Sequence, residues 1–410
     1  MRLAMRGGTR SEIALRTMKP GGEEPSLASL IERSAELKRA LVDFACSPRF
    51  ERHLGQFALE AADSGGDLSG GEAIGIIDRF ALQHRLPNGT TVLDKFLTSR
   101  PGLTAADREM LRGWREPVEG IFEIRSKDRD AILLLNLLDD LEYRTYSNMG
   151  SAVFRPLPEN GFVIARLVPI RPVPDAWLIS GSVSSYLKSG AAQIAEVAID
   201  LATKQPELVY RNPAKIEQGW KQMRADRASF IAFFGCDELV LPPAEAEERI
   251  NAYYRHRQEA ALARHSERPR PRNIPGLDVP AFELPAEVAD AETIGIIYDE
   301  IDGLNFYNEY GMLRDLFADP ALAADERYSR VLRGYLGSET IGPLPFRRLA
   351  TAHPKTVDAV FRKVLRKPNF TWAEHGEALL LRRKPWYYER EPWPSISVIG
   401  ARLSELAASR

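Results

Sequence analysis

The spacing of apolar residues changes twice along this chain, and these two changes constrain the fold more than any other feature. Apolar residues recur at helical spacing up to Pro117, then form short strand-like runs, and return to helical spacing from about Ala191. The strand-like runs stand together between helical segments and do not alternate with them. The pattern therefore predicts an α+β protein rather than an α/β protein, in which strands and helices alternate along the chain.

The first ordered block is predicted to be helical over residues 26–117. Ser26 stands directly before a helical apolar pattern as an N-cap, and Thr104 begins a sequence that resembles a capping box. Residues 1–25 carry several arginines and glycine pairs but lack the continuous apolar core of a signal peptide. We expect them to form a disordered tail, with Met18 as an alternative initiator.

Five short strands are predicted within residues 118–185. Glycine, proline and asparagine separate them, which is typical of a small barrel or a curled sheet, and two of them alternate between apolar and polar residues. We therefore expect a small five-stranded β-barrel of the OB-like or SH3-like kind. The predicted strands are 121–124, 132–138, 141–146, 162–170 and 177–179.

Helices are predicted to resume over residues 186–265 and to dominate a C-terminal domain at 283–410. Residues 266–282 contain four prolines and no apolar periodicity, which is typical of a linker. The predicted C-terminal helices lie near 306–318, 320–336, 343–352, 354–366, 372–384 and 397–408.

Several motifs in residues 72–182 suggest a family. They are Ile76–Phe80, Leu86–Gly89, Leu93–Leu97, Leu103–Leu111, Phe122–Ile124 and Gly161–Pro169. On these motifs, about a quarter of the chain resembles a module of bacterial proteins that also carry the SEC-C zinc motif. The resemblance implies a helical segment leading into a small barrel in a cytoplasmic bacterial protein, and it assigns no residue roles. The zinc motif itself is absent, because the chain has no Cys-x-Cys and no Cys-His pair.

Charge is nearly balanced over the 410 residues but is divided within the C-terminal domain. The total of 55 Lys and Arg against 57 Asp and Glu argues against a globally basic nucleic-acid binder. However, residues 283–319 hold ten acidic residues and one basic residue, a net charge of −9, whereas residues 345–390 hold eleven basic and four acidic residues, a net charge of +7. Either the two blocks neutralise each other within the fold, or the basic block faces a polyanion.

The basic block begins with a predicted pair of helices joined at His353-Pro354. Its predicted apolar seam consists of Leu349, Val357, Val360, Phe361 and Leu365. The residues predicted to point outward are Lys355, Thr356, Arg362, Lys363 and Arg366. A helix-turn-helix presents such residues to a DNA major groove. An ordinary helical hairpin with a solvated basic face is the alternative.

A second part of the basic block, residues 382–390, places three cations beside three aromatic residues. Flat aromatic rings next to cations can stack nucleic-acid bases while the cations attract phosphates. The alternative is that the rings and cations pack on one another within the chain. The predicted nucleic-acid-binding residues are Lys355, Arg362, Lys363, Arg366, Arg382, Arg383, Lys384, Trp386 and Tyr387.

The densest carboxylate cluster offers a weaker metal-site hypothesis. Asp299, Glu300 and Asp302 are oxygen ligands of the kind that Mg²⁺ prefers, although Asp302-Gly303 is also a common turn pair. The chain contains no HExxH, P-loop, GxGxxG or GxSxG motif. These absences favour a non-enzymatic protein without a cofactor.

The two cysteines and the hydropathy bear on the compartment. Cys46 and Cys236 lie 190 residues apart beside apolar residues, so we expect buried free thiols in a reducing cytoplasm. No apolar run reaches the roughly 18–20 residues of a membrane helix, so we expect no membrane partner.

The sequence therefore favours a cytoplasmic, non-enzymatic protein that binds RNA or DNA through its basic and aromatic C-terminal surface. One alternative is a protein-interaction scaffold that uses the barrel edge or the acidic segment. The other is a metal-dependent hydrolase centred on Asp299, Glu300 and Asp302.

Overall fold

The computed structural model describes residues 25–61, 70–265, 281–285, 288 and 290–408. The described chain contains helices together with two separate sheets, which confirms the α+β prediction. The predicted tail, except for its last residue, and most of the predicted linker lie outside the described residues.

The N-terminal block consists of helices, as predicted. Ser26 accepts a hydrogen bond from the backbone N–H of Ser29, and Thr104 forms a reciprocal capping box with Asp107. These side chains satisfy amide groups that have no partner within the first turn of a helix. The helices are α1 (Leu27–Ala45), α2 (Glu51–Ala61), α3 (Gly70–Leu82), α4 (Val92–Ser99) and α5 (Ala105–Gly113).

The five predicted strands are present and close into a barrel in the order β1-β2-β3-β5-β4. Their bounds are β1 (Val118–Lys127), β2 (Ile132–Asn136), β3 (Glu142–Tyr146), β4 (Phe162–Pro169) and β5 (Ala176–Tyr186). All neighbouring strands are antiparallel except β3 and β5, which run parallel, and β4 pairs with β1 to close the sheet. Alternate residues such as Phe122, Leu134 and Val163 are fully buried in one apolar cluster of the barrel.

A buried ionic network joins the N-terminal helices to the barrel. Asp78 of α3 is 3% exposed and accepts hydrogen bonds from Lys38 of α1 and from Arg166 and Ser180 of the barrel. Gly181 of β5, next to Ser180, has a φ of +76°, a backbone conformation that residues with a side chain rarely adopt, so glycine is favoured at this position. We call these four side chains the Asp78 network.

The middle block contains a strand that the helical prediction for residues 186–265 missed. Helices α6 (Ala191–Lys204), α7 (Pro213–Phe234) and α8 (Pro243–His265) are present, but β6 (Glu238–Leu241) lies between α7 and α8. It pairs with β7 (Ile294–Asp299), which pairs with β8 (Gly303–Asn308), in an antiparallel sheet. The sheet therefore joins residues from both sides of the predicted linker.

The C-terminal domain is mostly helical, with one correction. The helix predicted near 306–318 starts only at Tyr310, because residues 303–308 form β8. The last helix packs with α6, and its Arg402 donates to Glu123 of β1 at 2.6 and 2.9 Å. The helices are α9 (Tyr310–Ala318), α10 (Glu326–Gly337), α11 (Leu344–Ala352), α12 (Val357–Leu365), α13 (Trp372–Arg383), α14 (Pro385–Glu389) and α15 (Ala401–Ala408).

The prediction of two buried cysteines is wrong, because both thiols are free and exposed. Cys46 follows Ala45, the last buried residue of α1, and Cys236 follows the left-handed Gly235 that ends α7. Each cysteine therefore lies just beyond the helical segment whose apolar face is buried. In the described part of the chain, no helix is both long and apolar enough to cross a membrane.

Candidate nucleic-acid interface

The predicted helical hairpin forms, and its apolar seam is buried. Helices α11 and α12 are joined by the turn around His353, and the seam residues belong to the C-terminal core, with Leu365 partly buried. The sequence therefore identified the face of the hairpin that packs inward.

Three of the five residues predicted to point outward are bonded to the protein's own backbone. Thr356 donates to the carbonyl of Phe317 at 2.5 Å, and Arg362 donates to the carbonyl of Phe370 at 2.7 Å. Lys363 is exposed but donates to the carbonyl of Pro320 at 3.0 Å. Only Lys355 and Arg366 are exposed without such a bond among the described residues. The hairpin does not present the predicted row of free side chains to a major groove.

Lys384 is a correction to the predicted binding set, because its side chain is fully buried. Its ammonium group donates to the carbonyls of Tyr335 and Ser338, at the C-terminal end of α10. Carbonyl groups at a helix end lack partners within the helix, and a cation is favoured there. Burial lowers the pKa of Lys384 to about 8. Lys384 therefore stabilises the fold and is not available to a ligand.

The aromatic residues of 382–390 also pack within the chain. Arg390 lies over the Tyr387 ring at 4.7 Å and over the Trp386 ring at 5.7 Å from the ring centres. The hydroxyl of Tyr387 donates to Asp302 at 3.1 Å, and the indole nitrogen of Trp386 is buried. Arg390 thus covers both rings, which corrects the prediction that Trp386 and Tyr387 offer open surfaces to bases.

The acidic and basic blocks neutralise each other only in part. Arg348 lies 3.7 Å from Asp299 of the acidic block, and Arg390 pairs with Asp302 of the same block at 3.2 Å. Arg348 also pairs at 3.0 Å with Asp237, which lies outside the acidic block. The hydrogen bond from Arg348 lowers the pKa of Asp237. Six exposed cations of the basic block have no carboxylate partner among the described residues: Lys355, Lys363, Arg366, Lys367, Arg382 and Arg383.

Three of these six cations line a surface pocket of about 370 Å³ between the end of α12 and α13. Arg366, Lys367 and Arg382 surround it together with Asn369 and His375, and we call it the basic pocket. No carboxylate is among the described residues that line it. An anion entering the pocket would therefore meet only attractive formal charges.

Hydrogen bonds fix the loop that forms the basic pocket. Asp358 accepts from the backbone N–H of Trp372 at 2.7 Å, which holds the start of α13 against α12. Arg366 ends α12 with a φ of 55°, a left-handed conformation that only glycine adopts without strain. Nδ1 of His375 lies 3.1 Å from both the backbone nitrogen and the carbonyl oxygen of Thr371, which holds the imidazole ring at the start of α13.

Sequence reasoning had not chosen Lys367, Asn369 or His375 as site residues. The available signal for Lys367 and Asn369 was their position directly after a basic helix, in the loop that leads to the next helix. His375 had no neighbouring histidine in the sequence, so it resembled an ordinary surface residue. The pocket becomes visible only once α12 and α13 are packed.

The metal-site hypothesis for Asp299, Glu300 and Asp302 is not supported. Asp299 accepts backbone bonds from Ile301 and Asp302, and Glu300 faces Arg227 at 3.6 Å. Asp302 bonds to Tyr387 and Arg390 instead, and burial raises its pKa. Within the described residues no group of three His, Cys, Asp or Glu side chains is arranged to hold an ion. Asp302-Gly303 forms the β7–β8 turn, which was the alternative interpretation.

The resemblance of residues 72–182 to the module of SEC-C-motif proteins stays a prediction, since nothing in the barrel or the basic pocket tests it. Neither a family model, nor a curated protein, nor a solved structure matches this chain.

Proposed function

We propose that this protein binds a strand of nucleic acid through the basic pocket, and that it does so in the cytoplasm without catalysing a reaction. The observation that carries the proposal is the set of three exposed cations around a pocket that no carboxylate lines. Arginine and lysine bind phosphate oxygens by charge-assisted hydrogen bonds. A pocket favours a flexible strand, because a rigid duplex cannot enter it.

The pocket also has an exposed aromatic ring, that of His375, on which a base can rest. The buried ring of Phe370 lies behind it, 5.5 Å away between the ring centres. Stacking of a base on an aromatic side chain contributes about 1–3 kcal/mol and does not depend strongly on which base is present. We therefore expect little sequence preference.

We further propose that the closed sheet is an OB-like rather than an SH3-like barrel. The supporting observation is the strand order β1-β2-β3-β5-β4 with one parallel pair, which is a Greek-key arrangement and not a simple meander. OB barrels bind oligonucleotides on the face of β2 and β3 and with the adjoining loops. Arg129 and Arg171 are exposed in the corresponding loops here.

The test is fluorescence anisotropy of the full chain with labelled single-stranded RNA, single-stranded DNA and duplex DNA. Three phosphate contacts to a single strand give a salt slope of about −2, so raising the salt from about 50 to 200 mM weakens binding about 20-fold. The double variant Arg366→Glu, Arg382→Glu is expected to lower affinity at least about tenfold.

The matched control is the double variant Lys221→Glu, Arg224→Glu, which makes the same charge change at exposed residues of α7. It is expected to retain most of the affinity. Absence of binding at low salt, or an equal loss in both double variants, would show that the basic pocket is not the binding site. A pull-down that keeps its partners after nuclease treatment would favour the interaction-scaffold alternative.

A further inference from the structure

A cavity of about 550 Å³ lies between the N-terminal helices and the barrel, away from the basic pocket. Helices α1 and α3, strand β5 and the segment between β3 and β4 surround it. Its wall is largely apolar. The apolar residues include Val42, Ile74, Ile77, Phe154, Ile179 and Val183.

The polar side chains at one part of the wall belong to the Asp78 network. The Asp78 carboxylate already accepts from Lys38, Arg166 and Ser180, so it has little capacity left for a ligand. The Ser180 hydroxyl accepts from Lys38 at 2.7 Å and donates to Asp78 at 2.9 Å. Neither group can therefore donate a hydrogen bond to a ligand.

Lys38 is the one member of the network that both lines the cavity and keeps a spare hydrogen-bond donor. An ammonium group has three donors, and Asp78 and Ser180 take two of them. Among the described residues no third acceptor atom is bonded to Lys38, whose ammonium group also lies 5.5 Å from the centre of the Trp114 ring and whose side chain is 18% exposed. A bound molecule would therefore have to bring an acceptor oxygen to this ammonium group, with apolar atoms along the rest of the wall.

We propose that this cavity binds a small apolar molecule that ends in a carboxyl or ester group, with its acyl chain against the wall and an oxygen on Lys38. The volume lies within the roughly 300–1,000 Å³ of small-molecule sites in proteins. Ile74 and Met149 line the cavity and are 55% and 81% exposed, so apolar surface continues to its mouth. A cationic head group is disfavoured, because it would lie beside Lys38.

The test is isothermal titration calorimetry of the full chain with decanoate, methyl decanoate and decyltrimethylammonium, which share one chain length. Decanoate or its ester is expected to bind, and the cationic molecule is expected to bind at least about tenfold more weakly. Binding by the acid alone would identify a carboxylate ligand, and binding by both would identify a neutral carbonyl as sufficient. Absence of binding by both oxygen ligands, or equal binding of the cation, would overturn the proposal.

Two variants locate the site. Ile74→Glu places a carboxylate at the mouth and is expected to lower decanoate affinity at least about tenfold. The matched control Leu59→Glu changes another exposed aliphatic residue, 80% exposed on α2, and is expected to leave affinity unchanged. An equal loss in both variants would place the binding elsewhere. Lys38→Met, if its circular dichroism matches that of the wild type, should also lose decanoate binding, and retained binding would exclude Lys38 as the contact.

Discussion

Replacing Asp78 with alanine removes the carboxylate that two largely buried cations share. The side chains of Asp78, Lys38 and Arg166 are 3%, 18% and 8% exposed. Removing one partner of a buried ion pair costs about 3–5 kcal/mol, because the remaining charge stays out of water without compensation. Arg166 keeps a second carboxylate partner in Glu119. Most of the expected destabilisation therefore comes from the uncompensated charge of Lys38. We expect Asp78→Ala to lower the free energy of unfolding by about 3–4 kcal/mol.

The free energy of unfolding of this variant should also depend on pH differently from that of the wild type. Burial already lowers the pKa of Lys38, and Asp78 opposes that shift. Without Asp78 the folded pKa falls further below the unfolded one, so the charged amine destabilises the folded state at low pH. As the pH rises toward the unfolded pKa of lysine, about 10.4, Lys38 of the variant loses its proton and this destabilisation disappears. The deficit in stability relative to wild type should therefore shrink with rising pH.

The assay is urea unfolding followed by circular dichroism and tryptophan fluorescence. With a slope of about 3 kcal/mol/M, a loss of 3 kcal/mol moves the midpoint by about 1 M. The matched control is Asp200→Ala, which removes the carboxylate of the Lys204–Asp200 pair, whose side chains are 70% and 61% exposed. An exposed pair of this kind is worth about 0.5 kcal/mol or less. Equal midpoints for the two variants would refute the reasoning that burial makes the Asp78 network important.

Three further predictions follow from single residues. Arg366→Gly is expected to raise the melting temperature, since it relieves about 1 kcal/mol of left-handed strain, and to weaken nucleic-acid binding in the anisotropy assay. Lys384→Met is expected to lower the melting temperature, because two carbonyls at a helix end lose their partner, and to leave nucleic-acid affinity unchanged. Burial raises the pKa of the fully buried Asp139 to about 6, so the wild type should lose about 2–3 kcal/mol of stability between about pH 4 and pH 6. Urea unfolding at both pH values should show a smaller loss for Asp139→Asn, and an equal loss would contradict this assignment.

The elements that could be predicted from the sequence carry strong local signals. Ser26 and Thr104 cap helices with bonds to amide groups three residues away, and such contacts are visible in a linear sequence. The five barrel strands are separated by turn residues, which made their number and position predictable. By contrast, Ile294–Tyr298 is a short apolar run that is equally compatible with a buried helix. Its partner β6 precedes it by more than 50 residues.

Where the sequence did not reveal the surroundings of a residue, distant parts of the chain determine those surroundings. Lys384 stands between two arginines and an aromatic cluster, which suggested exposure, but its partners lie 46 and 49 residues away. No sequence pattern indicated the Asp78 network, because the residues of its ion pairs are 40 and 88 positions apart. Arg366 and Arg382 were predicted from charge alone, and only the packing of α12 against α13 places them around one pocket.

The pairing of β6 with β7 means that neither side of the chain can complete this sheet alone. A fragment ending at residue 265 would leave the β6 backbone without its partner strand, and a fragment starting at residue 290 would leave the same edge of β7 open. Unpaired strand edges recruit other strands, so each fragment is expected to aggregate when made by itself. Produced together in one cell, the two fragments have complementary edges and should reassemble. The covalent connection between α8 and β7 then keeps the two parts of the chain at a high effective concentration. Cleavage of this connection by a protease is therefore not expected to separate β6 from β7.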